Sequence, residues 1–139
     1  MQLSHGIVFL SAGAPAPVGC TLPYAPPEVV NAWYSGDTIT VQPSHDIWSL
    51  GVLAFECITQ QQMPLVFGNK DAIRACAAGE RPYPWEEPEA QQPAAWVRAE
   101  ARSVLQECLL RDADSRPSAA KLLRALARIG MLSTQTRAP

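Results

Sequence analysis

The sequence predicts a mainly helical domain arranged around one buried central helix, preceded by a long irregular segment. The chain has 139 residues, of which 47% are hydrophobic and 17% are charged, and this balance is typical of one globular domain. Residues 1–26 show no helical period and are rich in Gly, Ala and Pro, so we expect an extended loop there. Residues 46–60 carry apolar side chains on every face, and such a helix must lie at the centre of its domain.

A short helix and a connecting segment precede the central helix. Pro26 and Pro27 open the short helix, because proline is favoured in a first turn. Ser44 is the expected N-cap of the central helix. Between the two helices, residues 38–41 alternate as a short strand would, but the sequence offers no partner strand that we can identify.

Two helices are predicted after the central one. Asn69 caps a helix over residues 70–78, and Gly79 ends it. Pro93 lies in the first turn of a helix that runs to Leu110. The inward stripe of this second helix consists of Val97, Ala101, Val104, Cys108 and Leu109.

The last predicted helix begins after Ser118, its expected N-cap, and ends at Gly130. Its inward-facing residues are expected to be Leu122, Leu123, Leu126 and Ile129. These boundaries divide the chain into a loop over residues 1–26, a helical portion over residues 27–130 and a flexible tail over residues 131–139.

The charge pattern argues against two classes of partner. The formal net charge is −2, and no basic run offers a surface to nucleic acid or to an anionic membrane. The apolar run at residues 6–10 is too short for a membrane span, and no Lys or Arg precedes it as in a secretory signal. We therefore expect a protein of the cytoplasm or nucleus that is not secreted and has no transmembrane segment.

The cysteines and histidines do not form a recognisable metal or redox motif. The 4 cysteines include no Cys-x-x-Cys pair. Cys57, Cys76 and Cys108 fall in apolar helical patterns and are expected in the core, with a redox or metal role as the alternative. His5 and His45 have no matched nucleophile nearby in sequence and are expected to be solvent or capping residues.

Three motifs occur in the order in which protein kinases carry them. Residues 21–28 read Thr-Leu-Pro-Tyr-Ala-Pro-Pro-Glu, which resembles the Thr-x-x-Tyr-x-Ala-Pro-Glu end of a kinase activation segment, with Pro26 in place of Ala. Residues 46–51 read Asp-Ile-Trp-Ser-Leu-Gly, which is similar to the opening of the family's buried central helix. Residues 108–118 resemble the turn before the last helix of the large lobe. Over about residues 3–130, the resemblance implies a partial protein-kinase-like C-lobe behind an activation-segment-like loop.

The resemblance also assigns structural residues. Glu28 and Arg116 would form an ion pair that ties the activation segment to the helical floor, whereas two unrelated surface charges are the alternative. Asp46 would hold the backbone of a catalytic loop; taken alone, it is an acid placed to complement a helix dipole. Trp48 and Gly51 are expected to be packing residues.

The segment around Thr21 matches the part of a kinase activation segment that lies near the protein substrate. Thr21 matches the threonine that contacts the catalytic base in Ser/Thr kinases, so it favours that class over Tyr kinases. Leu22 and Pro23 would lie in the pocket for the substrate residue after the phosphorylation site, and Tyr24 completes this P+1-like loop. An ordinary loop threonine is the alternative.

The motifs that perform kinase chemistry do not occur in the sequence. It contains no Gly-x-Gly-x-x-Gly, no His-Arg-Asp and no Asp-Phe-Gly, which bind phosphates, supply the base and hold magnesium. The resemblance therefore assigns no catalytic residue and no metal ligand, and ATP and Mg²⁺ are expected only for a complete kinase domain. Residues 2–4 stand where the Gly-Leu-Ser after Asp-Phe would stand, which places the metal-binding aspartate just before Met1.

Two functions remain open on these grounds. The first is ATP-dependent phosphorylation of protein Ser/Thr by a kinase whose N-terminal portion is missing here, with this chain inactive alone. The second is a non-catalytic scaffold or substrate-docking module that uses residues 22–24 and the helix over residues 70–78. Both predict a protein substrate or partner protein. A generic helical domain with coincidental motifs is the third and weakest interpretation.

Overall fold

The computed structural model of the chain describes residue 13 and residues 15–17, 19–87 and 99–135, with the backbone alone for residues 15–17 and 131–135. This part is mainly helical, which confirms the predicted fold class. In chain order the elements are β1 (Pro15–Pro17), α1 (Pro27–Ser35), β2 (Thr38–Thr40), α2 (Pro43–Thr59), α3 (Met63–Phe67), α4 (Lys70–Ala77), α5 (Ala99–Cys108) and α6 (Ala119–Gln135). Short 3-10 turns lie at Leu22–Tyr24, Pro84–Glu86 and Ala113–Ser115.

Helix α1 begins as the sequence predicts. Pro27 is its first residue and Pro26 its N-cap, and it ends at Gly36, whose φ of +72° lies in the left-handed region that glycine adopts easily. Val29 and Val30 are buried, and the helix packs against α4.

The strand at residues 38–40 has a partner, so the expectation that it lacks one was wrong. β1 pairs antiparallel with β2, with Pro15 opposite Thr40 and Pro17 opposite Thr38. β1 lies within the segment that was expected to be entirely irregular. A Pro-Ala-Pro sequence gives little strand signal, but proline is tolerated in an edge strand because no ladder bond from its nitrogen is needed.

Helix α2 starts earlier than predicted. Pro43 is its first residue and Gln42 its N-cap, so Ser44 lies inside the first turn and is not the cap. Pro43 accounts for the difference, since its fixed φ suits the first helical position. The helix ends at Thr59, and Gln60 follows in the left-handed region with a φ of 56°.

Helix α2 is buried on one side, so the expectation of burial all round was wrong for the described part of the chain. Trp48 and Val52 are completely buried. Leu50 and Leu53 are 46% and 48% exposed, and Cys57 is exposed as well. The reason is geometric: α5 and the Leu22–Tyr24 turn contact α2 from the Trp48 side.

Helix α3 was not predicted, because five residues are too few for a helical period to be recognised. Helix α4 follows it with the expected cap: the Asn69 side chain accepts a hydrogen bond from the backbone N–H of Ala72 at 2.9 Å. Gly79, with a φ of +78°, lies just past its end.

Helix α5 is described from Ala99, so its predicted start at Pro93 and the inward position of Val97 lie outside the described residues. At its other end, Cys108 and Leu109 are buried as predicted.

Helix α6 differs from the prediction in length and in the face that it buries. The Ser118 hydroxyl accepts from the backbone N–H of Lys121 at 3.2 Å, as expected for the cap. The helix continues past Gly130 to Gln135, into the residues that were expected to form a tail. Leu122 is buried, but Leu123 and Leu126 are 69% and 46% exposed, so their inward placement was wrong. In the described residues α6 is covered mainly by α5, which reaches only one face.

The centre of the molecule is an aromatic cluster between α2 and residues 81–87. Its members are Trp48, Phe55, Phe67, Tyr83 and Trp85. Cys76 is buried in this cluster and Cys108 in a second one with Ile47 and Leu122, both as predicted, whereas the prediction of a core position for Cys57 was wrong. Among the helices described, none combines the length and the hydropathy that a membrane-spanning segment needs.

Candidate functional site

Arg116 forms a bidentate ion pair with Glu28. Its two terminal nitrogens lie 2.7 Å from Glu28 Oε1 and 2.9 Å from Glu28 Oε2. The Arg116 side chain is 0% exposed and that of Glu28 is 34% exposed. These residues are 88 positions apart in sequence, so the pair joins the first turn of α1 to the segment before α6.

The remaining donors of the Arg116 guanidinium are also satisfied. They bind the carbonyl oxygens of Leu110, Ser44 and Arg111 at 2.8, 3.1 and 3.1 Å. The guanidinium lies over the Trp48 ring, 4.9 Å from its centroid. A buried charge with this many partners is stabilised only while all of them are present. Arg116 therefore holds α1, the start of α2 and the end of α5 in one arrangement.

His45 lies beside this ion pair. Its Nε2 is 3.7 Å from Glu28 Oε1, and its side chain is 15% exposed. Burial lowers the pKa of His45, with Arg116 acting in the same direction and Glu28 and Asp46 opposing it. The neutral imidazole is thus favoured next to a carboxylate that Arg116 already occupies.

Asp46 and Gly51 both belong to the motif at residues 46–51, but one is exposed and the other lies between two elements. Asp46 is exposed in the first turn of α2. Gly51 lies where α2 meets α5: a Cβ placed there would be 3.0 Å from Cys108 Cβ and from Leu109 Cδ2. Any larger residue at position 51 would push these two elements apart.

The Leu22–Tyr24 turn is fastened to α2 at two points. The Tyr24 hydroxyl donates to Glu56 Oε1 at 2.9 Å, and the Ser49 hydroxyl donates to the Tyr24 carbonyl at 2.9 Å. Leu22 is buried, Pro23 and Tyr24 are half-buried, and Thr21 is exposed. The turn therefore presents Thr21 and Pro23 at the surface from a fixed backbone.

Glu56 is a residue of this site that the sequence analysis missed. Besides Tyr24, its Oε1 accepts the backbone N–H of Met63, at 2.5 Å, which links α2 to the start of α3. Burial raises the pKa of Tyr24, and the hydrogen bond and negative charge of Glu56 raise it further. The one signal in the sequence is an acidic residue in an otherwise apolar stretch of helix.

An apolar groove of about 300 Å³ lies beside this turn. Its walls come from the turn and from α1, α3 and α4. Among the lining residues are Leu22, Pro23, Trp33, Phe67, Lys70 and Ile73. The Lys70 ammonium lies 5.6 Å from the Trp33 ring centroid, so the groove has a cation at one side.

A second arginine, Arg111, also pairs with a glutamate and was not predicted. Its Nε and a terminal nitrogen lie 3.0 and 2.8 Å from the two carboxylate oxygens of Glu86. The Tyr83 backbone N–H donates to the same carboxylate at 2.8 Å. Burial raises the pKa of Glu86, but the hydrogen bonds from Arg111 and Tyr83 outweigh it and leave that pKa lowered. Arg111 lies inside the motif at residues 108–118, but Glu86 lies in no recognised motif, so this pair could not be predicted from the sequence.

Within residues 19–87 and 99–130, no three His, Cys, Asp or Glu side chains are grouped as metal ligands. Lys70 lies on α4 and Lys121 on α6, both on the downstream side of the central helix. We derive no step of phosphoryl transfer from these residues.

The fold and the site together define a helical domain that presents an anchored loop beside an apolar groove. The family model described as protein kinase domain matches residues 10–126 of this chain. Because that match covers most of the chain, the protein belongs to the protein kinase domain family. A search of curated proteins found no match.

Proposed function

We propose that this chain is the C-lobe portion of a Ser/Thr protein kinase domain, and that its own role is to hold a protein substrate. The Leu22–Tyr24 turn and the groove beside it would receive the substrate segment. The proposal rests on two hydrogen bonds that hold this turn against α2. The Tyr24 hydroxyl donates to Glu56, and the Ser49 hydroxyl donates to the Tyr24 carbonyl oxygen. A loop fixed in this way is preorganised to bind an extended chain.

The groove supports a substrate with an apolar side chain next to the modified residue. Leu22, Pro23, Phe67 and Ile73 offer it an apolar wall. A pocket of about 300 Å³ lies at the lower end of the range for ligand sites, roughly 300–1,000 Å³, so it suits one or two side chains. The Ser/Thr class is supported by Thr21, which matches the family's threonine and is exposed at the edge of the turn.

We propose further that the chain alone does not transfer phosphate. The phosphate-binding, base and magnesium motifs do not occur in its sequence, and kinase catalysis depends on positioning by all of them. Incubation of the 139-residue chain with radiolabelled ATP, Mg²⁺ and casein is expected to give no labelled substrate. Labelling that persists after purification to homogeneity would contradict this part of the proposal.

Substrate holding is tested separately by peptide binding. On an array of peptides that vary the residue after a central Ser, we expect binding to favour Leu, Ile and Phe. Pro23→Asp, which places a charge at the groove, is expected to weaken binding about tenfold or more. Leu123→Asp is the matched control, since Leu123 is 69% exposed on α6, far along the chain from the turn. Equal binding by both variants would exclude the groove as the site.

The exposed side of α2 supports a further polypeptide partner. Leu50, Leu53 and Cys57 recur at helical spacing on that side and are all exposed. We propose that the N-terminal kinase portion packs there. Its packing would bury the apolar side chains on the exposed side of α2. Leu50→Asp with Leu53→Asp is expected to reduce binding of the dye ANS by the isolated chain while leaving its helical circular dichroism unchanged. Unchanged dye binding would contradict an accessible apolar face.

The second candidate function is a non-catalytic substrate-docking module. It is favoured by the same groove together with the missing chemical motifs, and it needs no other kinase portion. The two candidates differ in one measurement: co-expression with the upstream reading frame restores phosphorylation only if the chain is part of an enzyme.

A further inference from the structure

Among the described residues that line the apolar groove beside the Leu22–Tyr24 turn, Lys70 alone carries a charge. Cys20 also lines the groove, but burial raises the pKa of its thiol, so it is neutral at neutral pH. The proposed function uses the apolar walls of this groove and leaves Lys70 without a role. The lining that the structure describes includes no acidic side chain to oppose the positive charge.

The position of Lys70 is set by its contacts with α1. Lys70 is the first residue of α4, directly after the N-cap Asn69. The Tyr34 hydroxyl donates a hydrogen bond to the Lys70 carbonyl oxygen at 3.0 Å, and the Lys70 ammonium lies 5.6 Å from the Trp33 ring centroid. These two contacts hold both the backbone and the cation of Lys70 at the edge of the groove.

The ammonium of Lys70 is available to a bound chain. It takes part in none of the ion pairs formed among the described residues. The Trp33 ring attracts the cation without neutralising its charge. An ammonium carries three N–H donors, and a carboxylate accepts from them with the opposite charge. The edge of the groove therefore suits an acidic residue of the substrate.

Arg74 adds positive charge on the same side of α4. It follows Lys70 by four residues, so the two side chains lie on one face of the helix. Its guanidinium lies 5.2 Å from the Tyr34 ring centroid, and it forms none of the ion pairs found within residues 19–87 and 99–130. Asp71 is exposed and stands next to Lys70 in sequence, but adjacent residues of a helix do not face each other. The two cations outnumber this one acid, so the potential at the edge of the groove is positive.

The proposed function places the residue after the modified Ser or Thr in the groove, against Leu22 and Pro23. In an extended chain successive side chains point to opposite sides, and residues two apart lie roughly 6.6 Å from each other on the same side. Resting on that proposed function, we propose that Lys70 selects substrates with an acidic residue at the third position after the modified residue. The side chain at the second position points away from the groove.

The test is fluorescence anisotropy of the 139-residue chain with fluorescein-labelled peptides that have Leu directly after a central Ser. The peptides carry Glu or Gln at the third position after the Ser, or Glu at the second position. At an ionic strength of about 0.05 M we expect Glu at the third position to bind about two- to fivefold more tightly than Gln, the range for an exposed ion pair. Glu at the second position is expected to give a smaller gain. NaCl at about 0.5 M should remove most of the difference, because it shortens the Debye length.

Substitutions at Lys70 test the charge itself. Lys70→Gln should bind the Glu and Gln peptides equally, and Lys70→Glu should prefer a peptide with Lys at the third position. Lys121→Gln is the matched control, since Lys121 is a 63% exposed lysine on α6 that does not line the groove, and it should keep the preference for Glu. An unchanged preference in Lys70→Gln, or an equal loss of preference in Lys121→Gln, would overturn the role of Lys70.

One further peptide separates failure of this inference from failure of the proposed function. It has Ala in place of Leu directly after the Ser, with Gln at the third position. If the Leu peptide binds more tightly than the Ala peptide but Glu and Gln at the third position bind equally, the apolar groove stands and selection by Lys70 is wrong. If the Leu and Ala peptides bind equally, or if no peptide binds to a chain that is helical by circular dichroism, the substrate groove and this inference are both contradicted.

Discussion

Arg111 and Arg116, five residues apart, make the same kind of ion pair with a glutamate but differ in burial. Arg116 and Arg111 each meet a glutamate through two nitrogens. Each also lies over an aromatic ring, Trp48 at 4.9 Å for Arg116 and Tyr83 at 4.8 Å for Arg111. Each donates further to backbone carbonyl oxygens.

The difference between the two arginines is access to water. The Arg116 side chain is 0% exposed, whereas that of Arg111 is 36% exposed. Water can therefore replace part of what Arg111 loses when its partner is removed, but it cannot reach Arg116 without local unfolding. Although the two contacts have similar geometry, removing the partner of the buried Arg116 is therefore expected to cost more stability than removing the partner of Arg111.

The largest expected effect is at Glu28. Glu28→Ala removes the carboxylate from a fully buried guanidinium, and we expect the free energy of unfolding to fall by about 3–5 kcal/mol, as measured by urea denaturation. The matched control is Glu107→Ala, because the partner of Glu107, Lys121, is 63% exposed. That control should cost less than about 1 kcal/mol. Equal losses in the two variants would mean that burial of Arg116 does not decide its contribution.

The sequence predicted the Arg116 pair and missed the Arg111 pair for a physical reason. Glu28 and Arg116 lie inside segments with recognisable motifs, so a resemblance could assign them across 88 positions. Arg111 lies in the same motif as Arg116, but Glu86 lies in none; the two residues meet because residues 81–87 fold back on the end of α5, and no local pattern predicts that approach. A contact between distant segments can be predicted from the sequence only where both segments belong to recognised motifs.

The helices were predictable where a local signal defines them. Asn69 and Pro27 mark their helix starts by their own chemistry, and both predictions were confirmed. The exposed side of α6 was not predictable, because hydrophobic pattern shows which residues favour burial and not whether a neighbour is present. The fastening of Tyr24 by Glu56 also depends on the tertiary fold.

The second largest loss in the free energy of unfolding is expected from substitution of Glu86. Glu86→Gln keeps the shape of the side chain but removes the charge that Arg111 binds, and we expect a loss of about 1–2 kcal/mol after allowance for partial exposure. The loss should be measurable by urea denaturation at neutral pH. A loss as large as that for Glu28→Ala would contradict the ranking by burial.

The same carboxylate should govern part of the acid stability. The pKa of Glu86 is lowered in the folded state, so at acid pH the unfolded chain takes up the proton first. The stabilisation is present above the unfolded pKa of about 4.3 and is lost as the pH falls through the lower folded value. Glu86→Gln is therefore expected to show a flatter stability profile below about pH 4.5 than the parent chain. Parallel profiles would contradict this.

A smaller pH effect is expected from His45 near the Arg116 pair. Its pKa is lowered in the folded state, so the unfolded chain is protonated first as the pH falls below about 6.5. Stability should therefore decrease from about pH 6.5 downwards, and His45→Gln should remove part of that decrease. Thermal melts of both proteins between about pH 5 and 7 test this. A steeper decrease in the variant would show that His45 gains a proton on folding instead.

The smallest effect is expected away from both arginines, at the end of α2. Gln60 has a φ of 56°, a left-handed conformation that glycine adopts without strain. Gln60→Gly is expected to raise stability by about 0.5–1 kcal/mol. Gln61→Gly is the control: at this exposed neighbour with ordinary φ, the same substitution should be neutral or slightly destabilising. A loss of stability in Gln60→Gly would contradict strain at this residue.

The comparison of the two arginines is tested most directly by a pair of double-mutant cycles. One cycle combines Glu28→Gln with Arg116→Met, and the other combines Glu86→Gln with Arg111→Met, each followed by urea denaturation. We expect a coupling energy of about 3 kcal/mol for the buried pair and about 1 kcal/mol or less for the half-exposed pair. Equal coupling energies, or a larger value for the Arg111 pair, would contradict the claim that buried Arg116 holds the domain together.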